Sequence, residues 1–576
     1  MKLAEALSIV RSAPVEGAAF HVVLACGFTP LHLQNYFAAY LQKTIPNRKV
    51  YVETGLFEDA VGTLTAFKNS QAQAGVLVLE WADLDPRLGY RHLGGWGQRV
   101  IPSILENVQA KLKQFEAVIQ NIPFASKLVI SLPTLPLPPG FHTSCWQATE
   151  AELALREVVL AFVRGVAAHP SVLVINEQKL NATSPFDARY DFRSDLNTGF
   201  PYTLAHADAL GQGLAALVRT PEPKKGIITD LDDTLWFGLV GEVGHEQVSW
   251  DLASHSQLHG LYQQMLRALA EQGVLIAVAS KNSPETVLKA LARSDLMVSK
   301  DQIFPIEIHW EAKSRSVAHI LRAWNIGAES VVFIDDSPME LAEVQAAYPA
   351  LECILFPKSD LPAGFALLQR LRDLFGKPRL SEEDSYRLQS IRQGQQFAES
   401  QQSNSPLEDL LATAEAVISL EYNPPASDKR VVELINKTNQ FNLNGRRFTE
   451  AEWQEGLQAP DSFALAISYQ DKFGPLGKIG VLSGKQGTDA LTIEAWVMSC
   501  RAFSRRIEHQ TVARLFDHFE VKDIVFNFAP TTKNKPLSDF LQEITGQELN
   551  SGIRLSRESF TAKCPKLYHR IVETNG

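Results

Sequence analysis

The stretch KGIITDLDDTLW, residues 225 to 236, joins a short apolar run to a group of acids, with Asp230 and Asp232 spaced two apart and Thr234 after them. Residues two apart on a strand share a face, so the spacing predicts both carboxylates in one site at the strand's carboxyl end. Like charges held that close repel, and a cation or a reaction that uses two carboxylates must compensate them. Further reactive side chains follow in order. Ser280 and Asn282 come directly after the apolar run VLIAVA, Lys313 follows Trp310, and Asp335 and Asp336 close VVFIDD. Ends of parallel strands in an α/β sheet share one crevice, so these groups are expected to converge. The chemistry that wants this set is phosphoryl transfer. Asp230 would attack phosphorus, and Asp232 would protonate the leaving oxygen and later deprotonate the hydrolytic water. Ser280 and Lys313 would hold the charged equatorial oxygens, with Thr234 and Asn282 beside the substrate. Carboxylate oxygens of Asp230 and of the Asp335/Asp336 pair would hold Mg²⁺.

Alternating strands and helices must position these groups. Leu258, Leu261, Tyr262, Met265, Leu266 and Leu269 recur at helical spacing after the first acids. Ser283 is the expected N-cap of a helix with Pro284 at its first position, and SPME (337–340) reads as a capping box. Between Trp236 and Leu258, FGLVGEVGHEQV leaves room for a flap and not for a folded cap, so the crevice is expected to stay open to a group presented on a larger partner. Upstream, FHVVLAC, GVLVLE, KLVIS and VLVIN alternate with helical patterns such as residues 151–166 and predict another parallel sheet covered on both faces. Cys26 and His206 in that region read as buried structural residues rather than a nucleophile and its base. Downstream, Leu491, Ile493, Ala495 and Val497 alternate as a strand that runs into SCRAFSRRIEHQ, with a helix from Ile507.

At 576 residues the chain exceeds one hydrophobic core. A formal charge of −10 argues against bulk binding to nucleic acid or anionic membrane. Five scattered cysteines without a CxxC pair disfavour a disulfide framework or a zinc cluster. Glu5, Arg11 and Glu16 interrupt every early apolar stretch, so no secretion signal is expected; no run is long and apolar enough to span a bilayer, and the cytoplasm is the expected location.

DLDDT (230–234), Ser280, Lys313 and IDDSP (334–338) resemble the four motifs of the haloacid dehalogenase (HAD) superfamily of aspartate-nucleophile phosphotransferases. That resemblance implies that the main chain at Asp232 also binds the metal and that Asp336 is the usual direct ligand, with Asp335 the alternative. The strand–turn–helix around Arg501, Arg505 and Arg506 resembles the acyl-CoA motif of GNAT acyltransferases without its glycines, and its arginines could serve a phosphopantetheine phosphate instead. The first region is similar to SGNH hydrolases but lacks their Gly-Asp-Ser nucleophile. Over the full chain, NKTNQFNLNGRRFTEAE, WVMSCRAF and PTTKNKPLSDF resemble FkbH-like proteins. The implied fold is α/β in three domains: a non-hydrolytic SGNH-like α/β domain (1–222), a HAD-type Rossmann-like core without a large cap (223–375) and, after a helical and polar linker (376–407), a GNAT-like α+β domain (408–576). The implied activity takes the glyceryl group of 1,3-bisphosphoglycerate, releases phosphate and loads the acyl group onto a phosphopantetheinylated acyl carrier protein for polyketide-type pathways. Many relatives carry a cysteine where this chain has Ala279, which leaves Cys500 as the alternative acyl acceptor. Two other readings stay open: a HAD phosphatase of a phosphorylated sugar or other small metabolite, and a non-catalytic carrier-binding scaffold.

Overall fold

A computed structural model describes the chain except residues 15–18, 69, 71, 123–126, 140–145, 170, 378–383, 385–386, 390, 393–406, 426–427, 439–440, 449, 473, 500–501, 504, 532–533, 547–551 and 576. The chain divides into two compact units, Met1–Glu222 and Pro223–Gly576. In the first unit, β1 (Phe20–Ala25), β2 (Val50–Thr54), β3 (Ala74–Val78), β4 (Lys127–Ser131) and β5 (Val172–Val174) form a parallel sheet in the order β2-β1-β3-β4-β5. Four of these strands follow from their continuous apolar runs. The edge strand β2 does not, because its sequence VYVET exposes Tyr51, Glu53 and Thr54 and so lacks a buried run.

The second unit opens with a five-stranded parallel sheet in the order β10-β9-β6-β7-β8. Its strands are β6 (Gly226–Thr229), β7 (Leu275–Ser280), β8 (Ile303–Ile308), β9 (Val331–Asp335) and β10 (Glu352–Leu355). Alternate residues serve opposite faces: Ile227 and Ile276 join one apolar cluster, whereas Ile228 and Ala277 join another. The predicted amphipathic helix spans Gln257–Glu271, with Leu258, Tyr262, Leu266 and Leu269 buried. Leu261 departs from that face and is exposed. Beyond this core, the described residues of the expected linker pack onto the same unit rather than standing off as a polar tether. Arg387 donates to the Gly273 carbonyl at 2.8 Å, Arg392 donates to the Ile303 carbonyl at 3.2 Å, and Leu388 and Ile391 enter the second apolar cluster.

The same unit carries a mixed eight-stranded sheet. Its strands are β11 (Val417–Tyr422), β12 (Phe441–Asn442), β13 (Ser462–Asp471), β14 (Gly474–Gln486), β15 (Ala490–Met498), β16 (Asp523–Phe526), β17 (Ile553–Ser556) and β18 (Arg570–Asn575). The predicted strand over 491–498 is β15, and the predicted helix after it spans Ile507–Phe519. Among the described residues, no helix is long and apolar enough to cross a membrane.

Candidate active site

The second unit's parallel sheet reverses its strand order around β6, whose neighbours are β7 and β9, and crevices form beyond the carboxyl ends at such points. β6 stops at Thr229, so Asp230 to Thr234 form a turn rather than a continuing strand face. This corrects the simple two-apart argument: the carboxylates of Asp230 and Asp232 do not point the same way. Asp232 Oδ1 accepts from the Trp236 indole at 2.8 Å and the Val240 amide at 3.1 Å, and its Oδ2 accepts from Asn282 Nδ2 at 2.8 Å. Asp230 faces elsewhere. Its Oδ1 lies 2.9 Å from Lys313 Nζ, and the same ammonium donates to Asp335 Oδ2 at 2.5 Å. Burial pushes the Asp230 carboxyl up to about 7 against the pull of Lys313, and it raises that of Asp335 as well. Burial opposes the Lys313 charge, yet the two carboxylates outweigh it and raise its pKa.

Helix Gln257–Glu271 clamps the turn from below. Tyr262 donates to Thr229 Oγ1 at 3.0 Å, Gln263 donates to the Leu235 carbonyl at 2.9 Å, and the His259 ring bonds the Thr234 carbonyl at 2.9 Å. Thr234 is fully buried and its Oγ1 has no hydrogen-bond partner. Ser280 closes β7 and is buried beside the same crevice, and Asn282 ties Asp232 to the start of helix Pro284–Leu291. Ser283 occupies the N-cap position, but its side chain makes no cap bond. The expected capping box is half formed. Ser337 Oγ accepts from the Glu340 amide, while the Glu340 carboxylate instead meets Lys281 Nζ at 2.9 Å.

One lysine in the site carries no sequence motif. Lys358, just past β10, donates to Asp336 Oδ2 at 2.7 Å and to Asp233 Oδ2 at 3.1 Å, and these bonds raise its pKa. Asp233 sits at φ 50° and also accepts from the Gly238 amide at 2.9 Å, a left-handed placement that a short polar side chain tolerates. The available signal was positional: a lysine directly after a fifth parallel strand lies at the shared edge.

The flap is small, as expected. Phe237 and Ser249 form an isolated antiparallel bridge, and Val240–Val243 is a single helical turn. Asp230, Asp335 and Asp336 each offer one oxygen such that all lie within 4.8 Å of one another. Clustered hard oxygen donors, two of them buried, fit a small divalent cation such as Mg²⁺. Asp232 does not contribute its carboxylate to that cluster.

Of the arginines expected to serve a phosphate, Arg505 and Arg506 lie among the described residues. Arg505 is buried, with its guanidinium 5.6 Å over the Tyr469 ring and 3.6 Å from Asp471, so it is held inside the fold. Arg506, at φ 56°, donates to the Lys566 carbonyl at 2.8 Å. Cys500 and Arg501 lie outside the described residues. In the first unit, the Cys26 thiol donates to the Phe28 carbonyl at 3.3 Å and burial raises its pKa. His206 bonds Thr134 at 2.9 Å and Ser184 at 3.0 Å, and burial lowers its pKa to about 3. A protonated thiol and an engaged neutral imidazole are structural, as expected.

No model of a known protein family matches this chain. No curated protein matches it either. Among solved structures, it is similar to the N-terminal part of the protein BF1531 from Bacteroides fragilis, described as containing a phosphatase domain complexed with Mg. The identity is 18%, the TM-score 0.52, and the match covers 66% of this chain and 100% of that one. An extracellular lipase from Streptomyces rimosus matches at 12% identity and TM-score 0.26, over 36% of this chain and 100% of its own. The salicylyl-acyltransferase SsfX3 from a tetracycline biosynthetic pathway matches at 10% and TM-score 0.22, over 35% of this chain and 56% of its own. The last two likenesses are too slight to carry an argument. The first shows a shared fold.

Proposed function

We propose that this chain is a Mg²⁺-dependent phosphohydrolase in which Asp230 is the nucleophile. The observation that carries the reading is the Lys313 ammonium bridging the buried Asp230 and Asp335, with Asp336 close enough to share a cation. A fold shared with a Mg-complexed phosphatase domain supports it. Asp230 Oδ would bond to phosphorus as the bond from phosphorus to the leaving oxygen breaks, and the proton of Asp232 would pass to that oxygen. Water, deprotonated by Asp232, would then attack the aspartyl phosphate and release inorganic phosphate. Lys313 keeps Asp230 oriented, while Ser280 would donate to an equatorial oxygen. Asp230, Asp335 and Asp336, with the main-chain oxygen of Asp232, would hold Mg²⁺, which neutralises charge on the transferring group.

The finer reading is that the substrate is 1,3-bisphosphoglycerate and that the glyceryl group passes to the thiol of an acyl carrier protein in the cytoplasm. Its support is the sequence resemblance, together with a flap that holds only a short bridge and a single helical turn. The domain limits 222/223, 375/376 and 407/408 belong to the same proposal, as do Cys500, Arg501, Arg505 and Arg506 as acyl-accepting and pantetheine-binding residues. A plain metabolite phosphatase is the second reading, favoured by Ala279, where a buried methyl group replaces a thiol. Incubation with 1,3-bisphosphoglycerate, Mg²⁺ and phosphopantetheinylated carrier proteins separates the two by mass spectrometry. Glyceryl mass on a carrier is expected, and phosphate release with every carrier unmodified would leave the plain phosphatase.

A further inference from the structure

The first unit holds a cavity of about 80 Å³, built entirely from its own residues. Its sheet order reverses between β1 and β3, and open parallel sheets bind ligands beyond the carboxyl ends at such a point. The cavity sits there. Gly27 and Phe28 follow β1, Glu80 to Asp83 follow β3, and Leu135 follows β4, and all of them line it. These loops are packed too tightly to be an accident of chain ends. A Cβ on Gly27 would lie 2.1 Å from Asp83 Oδ1, and the Glu58 amide donates to the Gly27 carbonyl at 2.7 Å, which pins the Glu58 loop over the end of β1.

The lining has a definite chemistry. Phe28, Phe57, Tyr90 and Tyr190 supply aromatic surface, with the two tyrosine rings stacked at 5.0 Å between centroids. Its carboxyl groups are those of Glu58, Glu80, Asp83 and Asp195, against one guanidinium, Arg91, and one imidazole, His92. Arg91 is committed to the Asp195 and Leu196 carbonyls and lies over the Phe57 ring at 5.6 Å. Glu80 is saturated by donors from Thr134, Leu135 and Tyr202. Asp83 accepts from the Glu80 amide at 2.8 Å and Asp195 from the Tyr190 hydroxyl at 2.7 Å, so the exposed Glu58 is the carboxylate best placed to meet a ligand's donor, and positive charge suits it and the ring faces. An anion would be desolvated against acids. Cleavage is not indicated, because the nearby Cys26 thiol and His206 imidazole are bonded within the fold.

We propose that this cavity is a binding site for a small organic cation, a primary ammonium on a short apolar body. The volume corresponds to roughly five to eight water-sized spheres, about the heavy-atom count of such a molecule. Isothermal titration calorimetry on the full-length protein tests this with n-butylammonium, n-butanol and n-butyrate, which share a four-carbon body and differ in charge. Saturable one-to-one binding of n-butylammonium is expected, at least tenfold tighter than that of the other two. Glu58→Gln, at an exposed position on the rim, and Tyr90→Ala should each weaken it at least fivefold while phosphate release stays at the wild-type rate. No saturable binding of n-butylammonium, equal or tighter binding of n-butanol or n-butyrate, or unchanged binding in both variants would overturn the proposal. None of these outcomes bears on Asp230.

Discussion

Lys313 is the residue on which the acid cluster depends, because its one ammonium serves two buried carboxylates. Lys313→Met leaves both uncompensated, and breaking a buried pair from one side costs about 3–5 kcal/mol. A lower urea midpoint is expected, partly restored by millimolar Mg²⁺, since a cation that binds only the folded state stabilises it. Ser280→Ala should lower kcat about 10²-fold with the urea midpoint nearly unchanged, as for loss of one preorganised donor. His206 makes a separate prediction. Its folded pKa of about 3 lies below the unfolded value near 6.5. Its contribution is thus complete above pH 6.5 and is lost as pH falls toward 3, by about 1.4 kcal/mol per unit. The ring's proton NMR shifts should stay constant from pH 5 to 8, and a midpoint near 6.5 would contradict its burial. Asp230 and Asp335 were legible in the sequence because each stands where a buried run stops, whereas Lys313 opens a helix and was read only from its place after Trp310 in the order of reactive residues. Lys358 was not, since its partners Asp233 and Asp336 are distant in sequence and no motif marks it. The direction of the Asp232 carboxylate was illegible too, because it depends on where β6 ends and on the indole of Trp236.

At the scale of elements, the flap is held by a residue outside it. Arg293 donates to the Val248 carbonyl at 2.6 Å and the His245 carbonyl at 3.1 Å, and its guanidinium lies 4.1 Å from the Trp250 ring centroid. Arg293→Ala removes those bonds and the ring contact, worth about 1–3 kcal/mol together. Hydrogen exchange should rise across residues 237–249 while β6 and β9 stay protected; unchanged exchange in the flap would assign its order to something else. Parallel central strands could be read from their apolar runs, and helix Gln257–Glu271 from its spacing. The same helix also carries His259, Tyr262 and Gln263, whose polar groups reach under the turn from Asp230 to Thr234 and its flanks. Periodicity identifies a buried face but not which buried atoms hold a neighbouring turn. Edge strands β2 and β10 were silent for the opposite reason: each leaves residues exposed and so shows no continuous apolar run.

Across the whole molecule, the alternation of strand and helix foretold two parallel sheets, and a third, mixed sheet follows them. The last region was legible chiefly at β15 and the helix after it; the neighbouring β14 pairs with β13 and β15 as adjacent hairpins, but its four glycines and two lysines break the apolar alternation that would have marked it. The chemistry proposed for the molecule converges on one atom, Asp230 Oδ. A brief reaction with acetyl phosphate and Mg²⁺, quenched in acid and followed by peptide mass mapping, tests it most directly. One phosphoryl group is expected on the peptide containing Asp230, removed by hydroxylamine, and none in Asp230→Asn, whose phosphate release should fall by about 10⁴-fold or more. Wild-type turnover by Asp230→Asn, or a phosphoryl group on another residue, would contradict it.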